Sequence, residues 1–479
     1  MQTYQLLNRR PKIDTMSARR TAALSRSPSD RGRDMMISLL FRMFSPFFQS
    51  HKETPRLLFS PFMLPILNRL AKMYGLDIHS MLHTKGEQRA LWNLLRSIAH
   101  FGIQTPQSLK APISVVWSLS HRCNLHCMHC YQNASQPSSD ELTLGEQLDV
   151  IDQLANAGVS MIVLSGGEPL TNPHLDKLIE RIHMHEMAIS IDSNGVLIDE
   201  QAVDRLKSMG VESVELSLDS VNAISHDRFR GLDGAFKRTL KAIELCSNAG
   251  IFTTVATTST TLNWDDSSEL INLARDHGAD RVVFFDLVPA GRGRDVEQFR
   301  LTERQLVQLM ALVREESSGD NEVFTELPQF VVYSASRDGE SLSDRSEKAL
   351  SVERYSVSSF FECGGHNNVY RKLAPYLGGC PAGRLYCNIQ PNGDVTPCMF
   401  MPRYPVAGNL RTQSFEEIWN GTVFQALRKR CNLSGKCRAC DFVTVCGGCR
   451  AKAAAYTGDY LASDPTCPIA RKPQKILAS

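Results

Sequence analysis

Long apolar runs are missing from this sequence. No stretch approaches the ~20 consecutive apolar residues that a membrane-spanning helix requires, and the best candidate, 57–67, is short and interrupted by Pro61 and Pro65. Charge of one sign is missing as well. Formal net charge is +2 over 479 residues, so the whole-protein field gives no reason to expect nucleic acid or an acidic partner. Basicity is local: eight Lys or Arg lie between Arg9 and Arg33 in a Ser-rich stretch, which reads as a disordered leader over 1–35 rather than a targeting peptide. No internal repeat is visible. No secretory signal is visible either, so the expected location is cytoplasmic, where cysteines stay reduced.

What is present is enough for two or three domains, with 42% hydrophobic and 22% charged residues. The segment 36–112 is unusually apolar near its start, with Leu39, Leu40, Phe41, Phe44, Phe47 and Phe48 close together. Two readings stand: a helical N-terminal extension capping the main domain, or an amphipathic segment resting on a membrane surface. Cysteine is the strongest signal. Of 14 cysteines all but Cys246 fall either between Cys123 and Cys130 or at and beyond Cys363. Such clustering in a reducing compartment points to metal rather than disulfides.

From residue 113 onward, β-branched runs alternate with helix-length amphipathic stretches. The runs lie at 113–119, 161–164, 188–191, 214–218, 252–257 and 282–287, several apolar on successive residues, as in parallel strands covered on both faces. Thr143 with Glu146 forms a capping box ahead of a helical face of Leu144, Leu148, Ile151 and Ala155. Six such units over 113–295 make an α/β fold, a partial (β/α)6 barrel of TIM type with its site at the strand C-termini. The pattern then weakens over 296–362: one helix is expected near 303–313, and the polar 334–351 reads as a mobile linker. Past Cys363, a hairpin spans 386–398 with Asn392-Gly393 as a type I′ turn, and Ser414 with Glu417 caps a helix reaching about Arg430. Residues 471–479 form a tail.

Cys123, Cys127 and Cys130 follow the first strand directly. Three thiolates at that spacing can each take one iron of a cubane and leave the fourth without a protein ligand. Strand two ends in Ser165-Gly166-Gly167-Glu168-Pro169, where the glycines admit a closely approaching ligand and the carboxylate can accept from an ammonium group. These features resemble the radical SAM superfamily, with His129 in the ring position before the last cysteine. By that resemblance the open iron takes the amino and carboxylate groups of S-adenosylmethionine (SAM), Gly166, Gly167, Glu168 and Pro169 meet the methionine amino group, and Ser193, Asn194, Ser217 and Asp219 meet the ribose and carboxylate. It also implies reductive cleavage of SAM to a 5′-deoxyadenosyl radical, with the electron coming from a small flavodoxin- or ferredoxin-type protein. Arg292, after strand six, reads either as a carboxylate ligand or as part of a plain surface turn.

The later cysteines, Cys380, Cys398, Cys437, Cys440, Cys446, Cys449 and Cys467, are similar to the small, cysteine-rich α+β SPASM domain. That likeness places this domain at 363–470 and implies one or two auxiliary [4Fe–4S] clusters. One would use Cys437, Cys440, Cys446 and Cys467; the other would use Cys380, Cys398, Cys449 and an upstream cysteine, with Cys363 or Cys387 as candidates. A zinc ribbon is the alternative for the paired C-x2-C motifs, and with zinc in both groups the chain would be a non-catalytic scaffold. Cys246 reads as an apolar core residue and Cys431 has no assigned role. The branch resembled most closely matures peptide-derived cofactors or alters haem-type side chains, implying a peptide or tetrapyrrole substrate modified by oxidation, decarboxylation or cross-linking. A membrane lipid is the variant suggested by the apolar N-terminal segment.

Overall fold

The computed structural model describes residues 84–102, 104–317, 322–337 and 378–471, together with 68 and 69. The 1–35 leader, the apolar cluster from Leu39 to Phe48 and Cys363 therefore lie outside the described residues. Helix α1 (Lys85–Phe101) begins at a Thr84–Glu87 capping box. Buried Asn93 donates to the Ala111 carbonyl at 2.7 Å, and Arg89 reaches the Val159 and Ala155 carbonyls at 3.0 Å. A Cβ on Gly86 would stand 2.5 Å from the Ala188 side chain. These ties seat α1 against the end of the barrel where strands begin, so this part of the N-terminal extension is a helical cap.

The six expected strands all form: β1 (Ser114–Ser118), β2 (Met161–Ser165), β3 (Ala188–Ser193), β4 (Ser213–Ser217), β5 (Phe252–Ser259) and β6 (Arg281–Asp286). Each pairs in parallel with the next. Between them run α2 (Leu144–Ala157), α3 (Leu175–Met184), α4 (Glu200–Ser208), α5 (Ala223–Arg230), α6 (Ala235–Asn248) and α7 (Ser267–Asp276). The Thr143–Glu146 capping box opens α2 as expected. Ile151, Leu154, Leu178, Ile179 and Ile182 from these helices bury against Val115, Ile162, Leu164 and Ile191 from the sheet, closing one face of the parallel core. Cys246 is fully buried in that same core.

Three expectations need correction. The 296–362 region carries the expected helix as α8 (Glu303–Glu316), but also β7 (Glu322–Thr325), a seventh parallel strand beside β6, and α9 (Phe330–Arg337) where the polar loop was expected to start. β7 was missed because Glu322 sits in it; the charge is neutralised by Arg281 of β6 at 2.6 Å, both side chains being almost inaccessible. The 386–398 hairpin exists as β8 (Tyr386–Ile389) and β9 (Asp394–Thr396), but its turn is not type I′. Gly393 has φ +88°, Asn392 stays at negative φ, and Pro391 precedes it. Gly393 N–H donates to the Gln390 carbonyl, and Gln390 N–H to Asp394, which makes a three-residue turn with a left-handed glycine bulge. Finally, the helix from Ser414 breaks at Asn420-Gly421 into α10 (Phe415–Trp419) and α11 (Thr422–Arg428).

β8 also pairs in parallel with β1, and β10 (Gly408–Asn409) follows β9, giving one ten-stranded sheet ordered β10-β9-β8-β1-β2-β3-β4-β5-β6-β7. The C-terminal region thus continues the barrel sheet instead of hanging from it. Its later part holds α12 (Gly435–Arg438) and α13 (Arg450–Thr457).

Candidate active site

The cysteine loop starts where β1 ends and is clasped from three sides. Gly167 and Glu168 amides donate to the Ser120 and Arg122 carbonyls, each at 2.8 Å. A Cβ on Gly167 would lie 2.0 Å from the Arg122 carbonyl, and Gly166 (φ +123°) would bring one within 2.8 Å of that of Ser120. The glycines are therefore required first by loop-on-loop packing; the same bare backbone also lines the cavity. On the far side, the Arg292 guanidinium donates to the Cys127 and Ala134 carbonyls at 2.9 Å and to Asn133 Oδ1 at 3.2 Å. These bonds make Arg292 a clamp on the cysteine loop and set aside the reading of a plain surface turn.

Cys123, Cys127 and Cys130 open onto one cavity with Gly166, Gly167, Ser193, Asn194 and Ser217. Burial pushes the Cys123 thiol up to about 12 and raises that of Cys127. Donors are already aimed at the sulfurs: Leu125 N–H at Cys123 and Ala134 N–H at Cys130, both 3.4 Å, and Arg230 at Cys127, 3.8 Å. A thiolate set with amide and guanidinium donors in a half-buried loop suits a metal cluster, whose charge offsets the desolvation that the bare thiols suffer. His129 stacks on Phe229 at 4.4 Å, and burial holds its imidazole well below its usual range.

Two of the expected ligand-binding residues turn inward. Glu168, 2% exposed, accepts from Ser193 Oγ and the Asn194 amide at 2.9 Å and from the Leu170 amide at 3.1 Å, so it ties the second strand-end loop to the third. Burial raises its carboxyl to about 7. Pro169 starts the short helical turn that follows. Asp219, 1% exposed, pairs with Arg230 at 2.6 Å and accepts from Thr258 N–H at 2.9 Å. Arg230, which sequence reasoning missed, thereby brings a guanidinium, held by Asp219, to the cavity lining. Asp192 and Glu215 were missed too. They are register partners on β3 and β4, both line the cavity, and burial raises both carboxyls. Nothing local in the sequence marks them.

The cavity roof comes from Met399 and Phe400 of the C-terminal region, and buried Lys452 of α13 pairs with Asp286 at the end of β6. The C-terminal thiols form two neighbourhoods: Cys449 packs in one cluster with Cys380 and Cys398, while Cys446 lies within electrostatic reach of Cys467 and Cys437, and Cys440 of Cys437. The two C-x2-C pairs are thus split, where a zinc ribbon needs all four on one ion. Among the described residues no three His, Cys, Asp or Glu side chains converge tightly enough for a single ion. Around the thiols stand buried Arg430 and Arg450 and several S-directed donors: Tyr386 Oη to Cys398 at 2.6 Å, Arg450 to Cys437 at 3.6 Å, and Gly448 N–H to Cys446 at 3.4 Å. Cys387, by contrast, is sealed in the aliphatic core of the sheet, which removes it as the upstream ligand. Cys431 is exposed.

This is the site of an iron–sulfur enzyme with one open cofactor cavity and further cysteine groups behind it, and the chain belongs to the radical SAM superfamily. Residues 117–274 match the Radical SAM superfamily and residues 380–441 the SPASM iron-sulfur cluster-binding domain. The catalytic domain of this family binds a [4Fe–4S] cluster and SAM, and the SPASM domain binds auxiliary clusters. The chain is 32% identical to the AdoMet-dependent heme synthase of Methanosarcina barkeri over 74% of this chain and 96% of that protein. It is 30% identical to mycofactocin maturase of Mycolicibacterium smegmatis over 76% of this chain and 84% of the relative. In fold it is similar to Streptococcus suis SuiB crystallised with the precursor peptide SuiA, with TM-score 0.61, 16% identity, and 89% and 92% of the two chains covered.

Proposed function

We propose that this enzyme uses SAM to modify a side chain of a tetrapyrrole by oxidation or decarboxylation. The single observation that carries the SAM half of this reading is the shared cavity of Cys123, Cys127, Cys130, Gly166, Gly167 and Arg230 beneath Met399 and Phe400. The substrate half rests on the likeness to the heme synthase. In this reading Cys123, Cys127 and Cys130 hold the cluster, leaving one iron for SAM. Gly166, Gly167, Ser193, Asn194 and Ser217 cradle the nucleotide, while Glu168, Pro169 and Asp219 fix the loops that do so. Arg230 supplies the charge for a carboxylate, and Met399 with Phe400 excludes water. When bound, the cluster and SAM supply a 5′-deoxyadenosyl radical that removes a hydrogen atom from substrate, and an auxiliary cluster takes or relays the electron left over. Cys437, Cys440, Cys446 and Cys467 are the proposed ligands of one auxiliary cluster; Cys380, Cys398 and Cys449, with Cys363 from outside the described residues, are those of the other.

A small flavodoxin- or ferredoxin-type donor belongs to the same proposal. A peptide is the second reading, supported by the likeness to mycofactocin maturase. Among the described residues no helix is long and apolar enough to cross a membrane; contact through the segment before residue 84, or action on a lipid, would appear as liposome co-sedimentation lost on deleting residues before Pro112. The deciding experiment incubates anaerobic, cluster-loaded enzyme with SAM, dithionite and either an iron porphyrin carrying propionates or a candidate precursor peptide. The expected result is 5′-deoxyadenosine together with a porphyrin lighter by the lost carboxyl group or hydrogen. A colourless zinc protein that forms no 5′-deoxyadenosine would overturn the whole reading; modification of the peptide alone would overturn its substrate half.

A further inference from the structure

A second cleft, of about 220 Å³, adjoins the cofactor cavity and shares Tyr131, Arg292 and Phe400 with it. Its chemistry differs. One side is the small-residue face of α13, Ala451, Ala454 and Ala455. The inner end is aromatic, with Tyr131 edge-on to Phe400 at 5.1 Å. The mouth carries Tyr404, an aromatic ring left 53% exposed, and two further guanidiniums, Arg294 and Arg403.

Those two arginines are available in a way that Arg292 is not. Arg292 commits its Nε and Nη1 donors to the cysteine loop. Arg294 has one bond, from Nε to the Pro289 carbonyl at 3.3 Å, and the exposed Arg403 has no ion pair or hydrogen bond among the described residues. Asp295 is the one carboxylate lining the cleft, against the three guanidiniums. An excess of planar cationic forks next to exposed aromatic surface matches a flat, carboxylate-bearing ring, because guanidinium pairs carboxylate in a bidentate way and a ring buries against alanine and aromatic faces. An extended peptide fits less well. Pro289 and Pro402 line the cleft and, lacking N–H groups, deprive a strand of backbone donors.

We propose that this cleft is the carboxylate-recognition subsite for the substrate, with Arg294 and Arg403 as its specificity-determining residues and the alanine face of α13 seating one edge of the macrocycle so that its inner edge reaches Phe400 and the SAM cavity. The inference rests on the tetrapyrrole reading above and assigns that reading its binding residues.

The test uses anaerobic holoenzyme with clusters reconstituted, and two probes: coproporphyrin III, which has four carboxylates, and its tetramethyl ester. Porphyrin fluorescence anisotropy gives Kd, and the visible spectrum of the clusters verifies that each variant is folded. Arg294→Ala and Arg403→Ala should each raise Kd for the acid about tenfold, in line with loss of a charge-assisted bond. Arg403→Lys should fall between wild type and alanine. Affinity of the wild type should drop with rising salt, and that of the double alanine variant should drop much less. The ester should bind more weakly and ignore the substitutions. Tight binding of the acid by wild type and both alanine variants alike would overturn the subsite and leave the tetrapyrrole reading standing. Failure of the wild type to bind either porphyrin would overturn both.

Discussion

In the barrel, all three thiols come from one short loop, and the neighbouring strand-end loops are built around it. In the C-terminal region the thiols come from separated segments around Cys380, Cys398, Cys437–Cys449 and Cys467, and buried arginines bind those segments together. Arg450, inaccessible to solvent, donates to the Gly448, Tyr460 and Ala462 carbonyls as well as to Cys437. Arg430 reaches the Cys380 carbonyl at 3.2 Å, and burial pulls its guanidinium below its usual range, opposed by the nearby thiols. A buried cation without matching charge is costly, so this region is built to surround negative sulfur ligands. One region opens its three thiols onto a cavity; the other ties separated thiol-bearing segments together through buried arginines.

If the regions differ in this way, damage to each should be separable. The largest effect is expected at the least forgiving contact within the barrel site. Gly167→Ala places a methyl group against the Arg122 carbonyl and should abolish measurable SAM cleavage while costing about 3 kcal/mol in unfolding free energy; a fully active variant would show that the two loops need not touch. Arg450→Met strands three carbonyls and should cost about 3 kcal/mol. Iron analysis should show loss confined to the C-terminal region, with SAM-induced change in the electron paramagnetic resonance signal of the barrel cluster retained. Arg230→Lys keeps its charge beside Asp219 but loses the planar fork, and SAM binding should weaken about tenfold by calorimetry without iron loss.

How far the sequence foretold this structure depends on whether a feature is local. The strands β1 to β6 were legible from β-branched runs, several of them apolar on successive residues, as were the capping boxes at Thr143 and Ser414 and the cysteine spacings. β7 was hidden by Glu322, whose charge is silenced only by Arg281 from another strand. The pairing of β8 with β1 joins Val115 to Cys387, a contact no local pattern encodes. Arg230, Arg292, Asp192 and Glu215 reach the site for the same topological reason. Glu168 and Asp219 were found by resemblance, yet they act on their neighbours' loops.

The smallest predicted effect lies away from both regions and serves as their control. Glu212 immediately precedes β4, and one of its carboxyl oxygens is buried without a partner among the described residues. Burial first, and the Glu87 charge second, push it from 4.5 up to about 7. The folded state therefore holds this proton more tightly than the unfolded chain, and stability falls as pH rises from 4.5 to about 7. Glu212→Gln should gain about 1 kcal/mol at pH 8 and nothing at pH 4.5 in denaturant titrations, with iron content and SAM binding unchanged.

The account turns on Cys123, Cys127 and Cys130 holding a cluster of their own. Mössbauer spectra of anaerobically reconstituted Cys123→Ala/Cys127→Ala/Cys130→Ala protein, recorded with and without SAM, test it directly. The prediction is loss of the iron belonging to one cubane, survival of the C-terminal signal, and no spectral response to SAM. Spectra that keep the wild-type iron content and the wild-type response to SAM would contradict it.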